Sequence, residues 1–179
     1  RTCLVGSEMC IRDSLVGELN AGWTIAKKLL QHERKFISNF GLAAGMGSKK
    51  DVVSLAKKHF GEDEGKISNP IFRSKVIDHK MKEHAFGLTL QRAADEGGKA
   101  SAVASMFKYY GTEHNKRRHE LMVAASGVNG LAWDGNEFDD SEKNLTRAWL
   151  RTKGNSIEGG TSEVQLNVIS KRVLELPSG

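Results

Sequence analysis

Proline is almost missing from this chain: Pro70 and Pro177 are the only two among 179 residues. Long stretches therefore hold nothing that forbids a helix. Cysteine is equally scarce, with Cys3 and Cys10 seven apart near the N-terminus, a spacing that suits neither a zinc site nor a redox pair. No run of about 18 uninterrupted apolar residues occurs, which excludes a membrane-spanning helix. The first residues lack the basic, apolar and small-residue succession of a secretory signal. No segment alternates apolar and polar residues for long enough to make a convincing strand. What remains is 39% apolar and 27% charged, enough for the core of one domain at this length. The net charge of +5 favours anionic partners, nucleic acid or an acidic cofactor or thioester. A solvated surface rich in lysine explains the same charge.

Residues Glu8-Met9-Cys10-Ile11-Arg12-Asp13-Ser14 read as one translation frame of a sequencing-library transposon end. Residues 1–14 are therefore expected to be a non-native leader, and the native sequence to resume near Leu15. Both cysteines fall in that leader, while the charge balance survives, because Arg1 and Arg12 offset Glu8 and Asp13.

From Leu15 onward the spacing is helical. Trp23, Ala26, Leu29, Leu30, Ile37, Phe40 and Ala44 recur every three or four residues and predict a helix over 19–47. Phe60-Gly61-Glu62-Asp63-Glu64-Gly65 predicts a polar loop. Ser68-Asn69-Pro70 supplies a polar cap with proline in the first turn, opening a helix that continues to about Asp95. Gly97-Gly98 turns the chain into a third helix over 99–126, with Val103, Met106, Phe107, Tyr110, Leu121, Met122 and Ala125 inward. An irregular segment over 128–140 precedes a short helix over 141–153. A last helix over 161–176, with Val164, Val168, Val173 and Leu176 inward, is stopped by Pro177. Long helices joined by short turns predict an all-α fold, an up-and-down four-helix bundle with an extra short helix, over 15–179.

Two separated stretches carry a resemblance. Near the end stands Ser156-Ile157-Glu158-Gly159-Gly160-Thr161-Ser162-Glu163-Val164-Gln165, followed by Asn167, Ile169 and Arg172-Val173-Leu174. Near the start, Val16-Gly17-Glu18-Leu19-Asn20-Ala21-Gly22-Trp23 leads to Leu29-Leu30-Gln31-His32-Glu33-Arg34. In order and separation both resemble the C-terminal helical bundle of the acyl-CoA dehydrogenases, bacterial members in particular. The resemblance spans about Leu15 to Pro177 and implies FAD, an acyl-CoA substrate, and α,β-dehydrogenation to the enoyl thioester. It further implies a homotetramer or heterotetramer assembled through the bundle, electron-transfer flavoprotein as acceptor, a cytoplasmic setting, and domains upstream of Leu15. No partnership with nucleic acid follows from it. A flavin oxidase on the same scaffold, and a non-catalytic subunit that completes a partner's site, are the alternatives.

In that family a carboxylate removes the proton next to the thioester carbonyl, and it occupies one of two places. One place, immediately before a Gly-Thr pair, is Gly159 here, so that carboxylate is missing. The other is a Glu-Arg pair on the first bundle helix, matched by Glu33-Arg34. Glu33 is therefore the expected base and Arg34 its neighbour at the substrate. Independently of the family, Glu33 interrupts the stripe Ala26, Leu29 or Leu30, Ile37, Phe40, where lost hydration would raise its pKa. The plainer reading puts Glu33 at the edge of the stripe, paired with Arg34 or Lys27. Glu158 is the rival base.

Gly159 and Gly160 allow backbone to approach a ligand closely, and the resemblance places them at the substrate. It also carries Thr161 and Glu163 over as cofactor contacts, although a capped helix with an acidic first turn accounts for both. Lys57-Lys58-His59-Phe60-Gly61 matches a place where the family has arginine, then Phe-Gly, at a neighbouring subunit's FAD. Lys57 keeps the charge there but loses the guanidinium fork, and Phe60 is its companion. Ala124 stands where glutamine is common, and Leu166 where arginine is usual. The six histidines show no ligand spacing, so no metal site is expected. Lys116-Arg117-Arg118-His119 reads as a solvated basic face.

Overall fold

The structure, a computed structural model, describes residues 16–30, 32–33, 51–95 and 101–177. Residues 22–30 and 32–33 are helical and form α1; the helix expected from Leu19 starts at Gly22, because Asn20 before it has a φ of 69°, and residues 31 and 34–47 lie outside the described residues. Then follow α2 (Val52–Phe60), the strands β1 (Glu62–Asp63) and β2 (Lys66–Ile67), α3 (Pro70–Asp95) and α4 (Ser101–Ser126). A 3₁₀ turn over Gly127–Leu131, α5 (Asp140–Asn155) and α6 (Ser162–Arg172) complete the chain.

Helix α4 is the central post, touching α2, α3, α5 and α6. Helices α3 and α5 run antiparallel to it. His79 of α3 stacks on His114 while Phe86 meets Phe107, so α3 numbers rise as α4 numbers fall. Likewise Asn115 reaches Asn155 and Glu120 reaches Lys153 on α5. The apolar core lies where α2, β2, α3, α4 and α5 converge, and includes Ala56, Phe72, Val76, Leu121 and Met122. Phe60 closes one end against Phe72, ring centroids 4.7 Å apart.

Local signals set most helix ends. The Asn69 side chain accepts from the Phe72 N–H at 2.9 Å, so α3 opens at Pro70 as the sequence predicts. Asp139 and Glu142 form a reciprocal capping box, which starts α5 one residue before the expected Ser141. Gly130 sits under the Val123 carbonyl, where any Cβ would collide, and its own carbonyl accepts from the buried Thr146 hydroxyl at 2.9 Å.

One helix adds to the expected elements, and two expected elements differ. The stretch before Phe60 is the amphipathic helix α2, with Val52 and Ala56 buried one turn apart. The polar loop after it is a small hairpin, Glu62 opposite Ile67 and Asp63 opposite Lys66. Its two turn residues, Glu64 and Gly65, have φ of 45° and 76°, the left-handed pair that a tight hairpin requires. Helix α6 ends at Arg172, not at Pro177: the Val173 and Leu174 N–H groups both close onto the Ile169 carbonyl. Val164, Val173 and Leu176, and Met106 of α4, all expected inward, are exposed, and Gln165 is the buried residue of α6.

Candidate active site

The segment joining α5 to α6 departs from regular structure at two successive glycines. Gly159 and Gly160 have φ of 64° and 96°, values that L side chains resist. A Cβ on Gly160 would stand 2.6 Å from the Gln165 amide nitrogen. These two glycines permit a close turn, and buried side chains grip its carbonyls. Gln165 Nε2 donates to the Gly159 carbonyl at 2.9 Å, and Lys108 Nζ donates to the Gly160 carbonyl at 2.7 Å. More of α4 reaches the same segment. Lys116 Nζ donates to the Ser156 hydroxyl at 3.2 Å, and Asn115 to Asn155 at 3.2 Å. The Ser162 hydroxyl donates to Glu113 at 3.1 Å.

Thr161 is the N-cap of α6, its hydroxyl accepting from the Val164 N–H at 3.3 Å. Glu163 is exposed, and its carboxyl is held below the usual range by its own backbone N–H and by the Thr161 side chain. Glu158 is half-buried, with one oxygen on Arg151 at 2.6 Å and the other accepting from Asn155 at 3.3 Å. Both of its oxygens are thus engaged within the loop's own surroundings.

Glu33 lies on α1, exposed. Trp23 and Leu29 of the same helix are 72% and 67% exposed, so the described residues do not supply the desolvation expected of Glu33. Arg34 lies outside the described residues. A second concave region opens beside α2 and α3: a groove of about 460 Å³ whose apolar lining includes Val53, Val76 and Met81. Lys57, Lys66, Arg73 and Lys80 surround it. Lys57 Nζ pairs with Glu62 at 3.2 Å, while Phe60 packs into the core. Such a groove, lined by apolar and cationic side chains together, fits an anionic ligand with a flat or aliphatic part.

Sequence periodicity missed the buried polar residues, since only apolar positions register in it. Lys108, Gln165 and His79 are among the largest fully buried side chains. The basic run is not a simple solvated face, for Arg118 is buried and Lys116 is drawn to Glu113 and Ser156. Ligand atoms of His79, Glu83 and His114 lie within 4.8 Å of one another. However, the two imidazoles stack with ring centroids 4.1 Å apart and planes 6° from parallel. Their in-plane lone pairs run side by side, so a shared ion would have to break the stack. Burial, and then the neighbouring His114, push His79 down to about 4, and burial lowers His114 as well.

Known proteins bear on this geometry. Residues 20–174 match the family model described as the acyl-CoA dehydrogenase C-terminal domain. Acyl-CoA dehydrogenase IpdE1 of Mycobacterium tuberculosis is 26% identical over 166 residues, covering 92% of this chain and 41% of that protein. The 3-(aryl)acrylate reductase of Clostridium sporogenes is 28% identical over 173 residues, covering 92% and 42%. Among solved structures, a steroid acyl-CoA dehydrogenase variant, Tcur3481–Tcur3483 G363A, superposes with a TM-score of 0.70 at 22% identity, covering 92% of this chain and 42% of that one. The ChsE4–ChsE5 complex of Mycobacterium tuberculosis gives 0.66 at 22% identity with the same coverage. This chain thus spans about two fifths of the length of the relatives it matches. With a family model covering most of its length, the chain belongs to the acyl-CoA dehydrogenase family, as a C-terminal helical domain.

Proposed function

We propose that this domain completes the active site of a FAD-dependent acyl-CoA dehydrogenase that converts an acyl-CoA thioester to its enoyl-CoA. The observation that carries the reading is the clamped Gly159–Gly160 turn at the head of α6, set in the stretch that the family model covers. A turn held by buried side chains meets the need of catalysis for donors fixed before substrate arrives.

The donor set suits the cofactor. Thr161 stands at a helix N-terminus, which favours phosphate oxygens, and the lysines and arginine around the α2–α3 groove favour the same charge. Lys57 and Thr161 would hold parts of FAD, in neighbouring subunits of an oligomer. FAD, when bound, supplies the two-electron acceptor for the hydride leaving the β-carbon. The chain's own contribution is proton removal: Glu33 takes the α-proton, with Arg34 beside it. Water must leave Glu33 for its pKa to rise toward working pH. In this reading, the upstream domains and neighbouring subunits that the family implies cover α1. Gly159, in the family's other base position, leaves Glu33 without a competing carboxylate there. Glu158 is a bystander. The assembly is a homotetramer or heterotetramer in a bacterial cytoplasm that passes electrons to electron-transfer flavoprotein.

A second reading, a non-catalytic subunit that completes a partner's site, is favoured by three residues. Ala124 and Leu166 carry no polar head for a cofactor, and Lys57 already has Glu62 as partner. The flavin content of the complete protein as purified, and its anaerobic mixing with a panel of acyl-CoA thioesters, separate the two. Bleaching of the oxidised flavin by at least one thioester supports the dehydrogenase; a flavin-free protein, inert toward all, supports the subunit.

A further inference from the structure

The middle of α4 turns Ser105, Lys108 and Thr112 inward, all buried. Lys108 is completely inaccessible, yet a methionine or leucine would fill the same space without an ammonium to dehydrate. Removing an ammonium from water costs several kcal/mol (roughly, after relaxation), so it persists only where something compensates. Burial pushes the Lys108 pKa below that of an ordinary lysine, with Glu113, Glu158 and Glu163 opposing. Its hydrogen bond goes to the Gly160 carbonyl, 52 residues further along the chain.

In a trans peptide the carbonyl and the following N–H point in opposite directions. With the Gly159 carbonyl drawn inward to Gln165 and the Gly160 carbonyl drawn inward to Lys108, the N–H groups of Gly160 and Thr161 are turned outward. Neighbouring amides are used locally: Ile157 and Glu158 donate to the Gly154 carbonyl and Ser162 to the Ser156 carbonyl. No acceptor among the described residues takes the N–H of Gly160 or Thr161. Two successive outward donors at the start of α6 suit an oxygen bearing negative charge.

We propose that Lys108 is a positioning residue, which sets from inside the bundle the Gly159–Gly160 turn and so aims the Gly160 and Thr161 amides at a ligand oxygen. The proposal rests on the reading above, that this turn faces the flavin and the acyl thioester. That oxygen is a thioester carbonyl or a flavin phosphate, two sources with the same recognition chemistry. Lys108 touches neither; it acts through the Gly160 carbonyl.

The test compares Lys108→Met and Lys108→Arg with wild type in the complete protein. Hydrogen–deuterium exchange should show faster exchange in peptides covering 155–162 of Lys108→Met, with α4 and α5 protected as in wild type. Anaerobic reduction by acyl-CoA should be at least about 10-fold slower at saturation, with the half-saturating concentration little changed, if the oxygen is the thioester carbonyl. Flavin retention should fall instead if it is a phosphate. Lys108→Arg, which keeps donor and charge, should restore part of whichever property is lost. A folded Lys108→Met with wild-type exchange, flavin content and reduction overturns the proposal. Uniform loss of protection across all helices, unrelieved in Lys108→Arg, overturns it as well, because Lys108 would then merely hold the bundle together. If wild type itself is inert toward thioesters, the reaction reading fails, and the exchange comparison alone decides Lys108.

Discussion

The two stretches that carry the family resemblance are finished to different degrees within this chain. At the α5–α6 junction, Lys108, Asn115, Lys116 and Gln165 tie a short loop to the bundle from beneath. On α1 the apolar residues Trp23 and Leu29 and the carboxylate Glu33 all face outward. One half of the proposed site is preorganised by its own helices, and the other gives a base whose desolvation has to come from elsewhere. A site split in this way separates local order from reactivity: changes beneath the loop should disturb the order of the loop and reactivity, and changes on α1 only the second.

The largest effect should come from α1. Glu33→Gln in the complete protein keeps side-chain size but cannot accept the α-proton. Flavin reduction should fall by about 10²–10⁴-fold, measured by anaerobic stopped flow, while the thermal midpoint of unfolding stays within the range of surface substitutions. Glu158→Gln should reduce flavin nearly as fast as wild type, since Glu158 is engaged by Arg151 and Asn155. The reverse ranking would transfer the role of base to the loop.

The core should respond in stability instead. Phe72→Ala removes a ring packed 4.7 Å from Phe60 and should cost about 3–5 kcal/mol in denaturant unfolding. Next comes acid. The folded-state pKa of His79, about 4, lies below the ordinary value near 6.5. Between those values the unfolded chain holds a proton that the folded chain does not, so stability falls as pH falls through this window. The full difference corresponds to roughly 3 kcal/mol, and His79→Asn should flatten the dependence of unfolding free energy between pH 4 and 6.5. Smallest is the cap of α5: Asp139→Ala breaks a reciprocal box and should cost about 1 kcal/mol, with no effect on flavin reduction.

Much of the frame was legible in the residues. Asn69-Pro70 marked the start of α3, and the apolar spacing through Leu121, Met122 and Ala125 marked the buried face of α4. Helix α2 escaped because its nine residues include Lys57, Lys58 and His59, a polar composition that reads as a continuation of the loop. The hairpin escaped because two-residue strands are too short to show alternation. The clamp beneath the glycines escaped for a different reason. Burial of a lysine and a glutamine is dictated by the partner they reach in space, and Gly160 lies 52 residues from Lys108. Ile71, Met81 and Leu88 of α3 are apolar yet exposed, so hydropathy alone could not distinguish the face packed in this chain from the rest.

The central claim is that the two stretches face one α-carbon, and the double variant Glu33→Gly with Gly159→Glu tests it most directly. Gly159 has a φ of 64°, which a glutamate adopts at a cost of about 1–2 kcal/mol, so recovery should be partial. The account predicts that anaerobic flavin reduction by acyl-CoA in the double variant exceeds that of Glu33→Gln by about 10-fold or more. A double variant that is folded and flavin-loaded, yet as slow as Glu33→Gln, would contradict it.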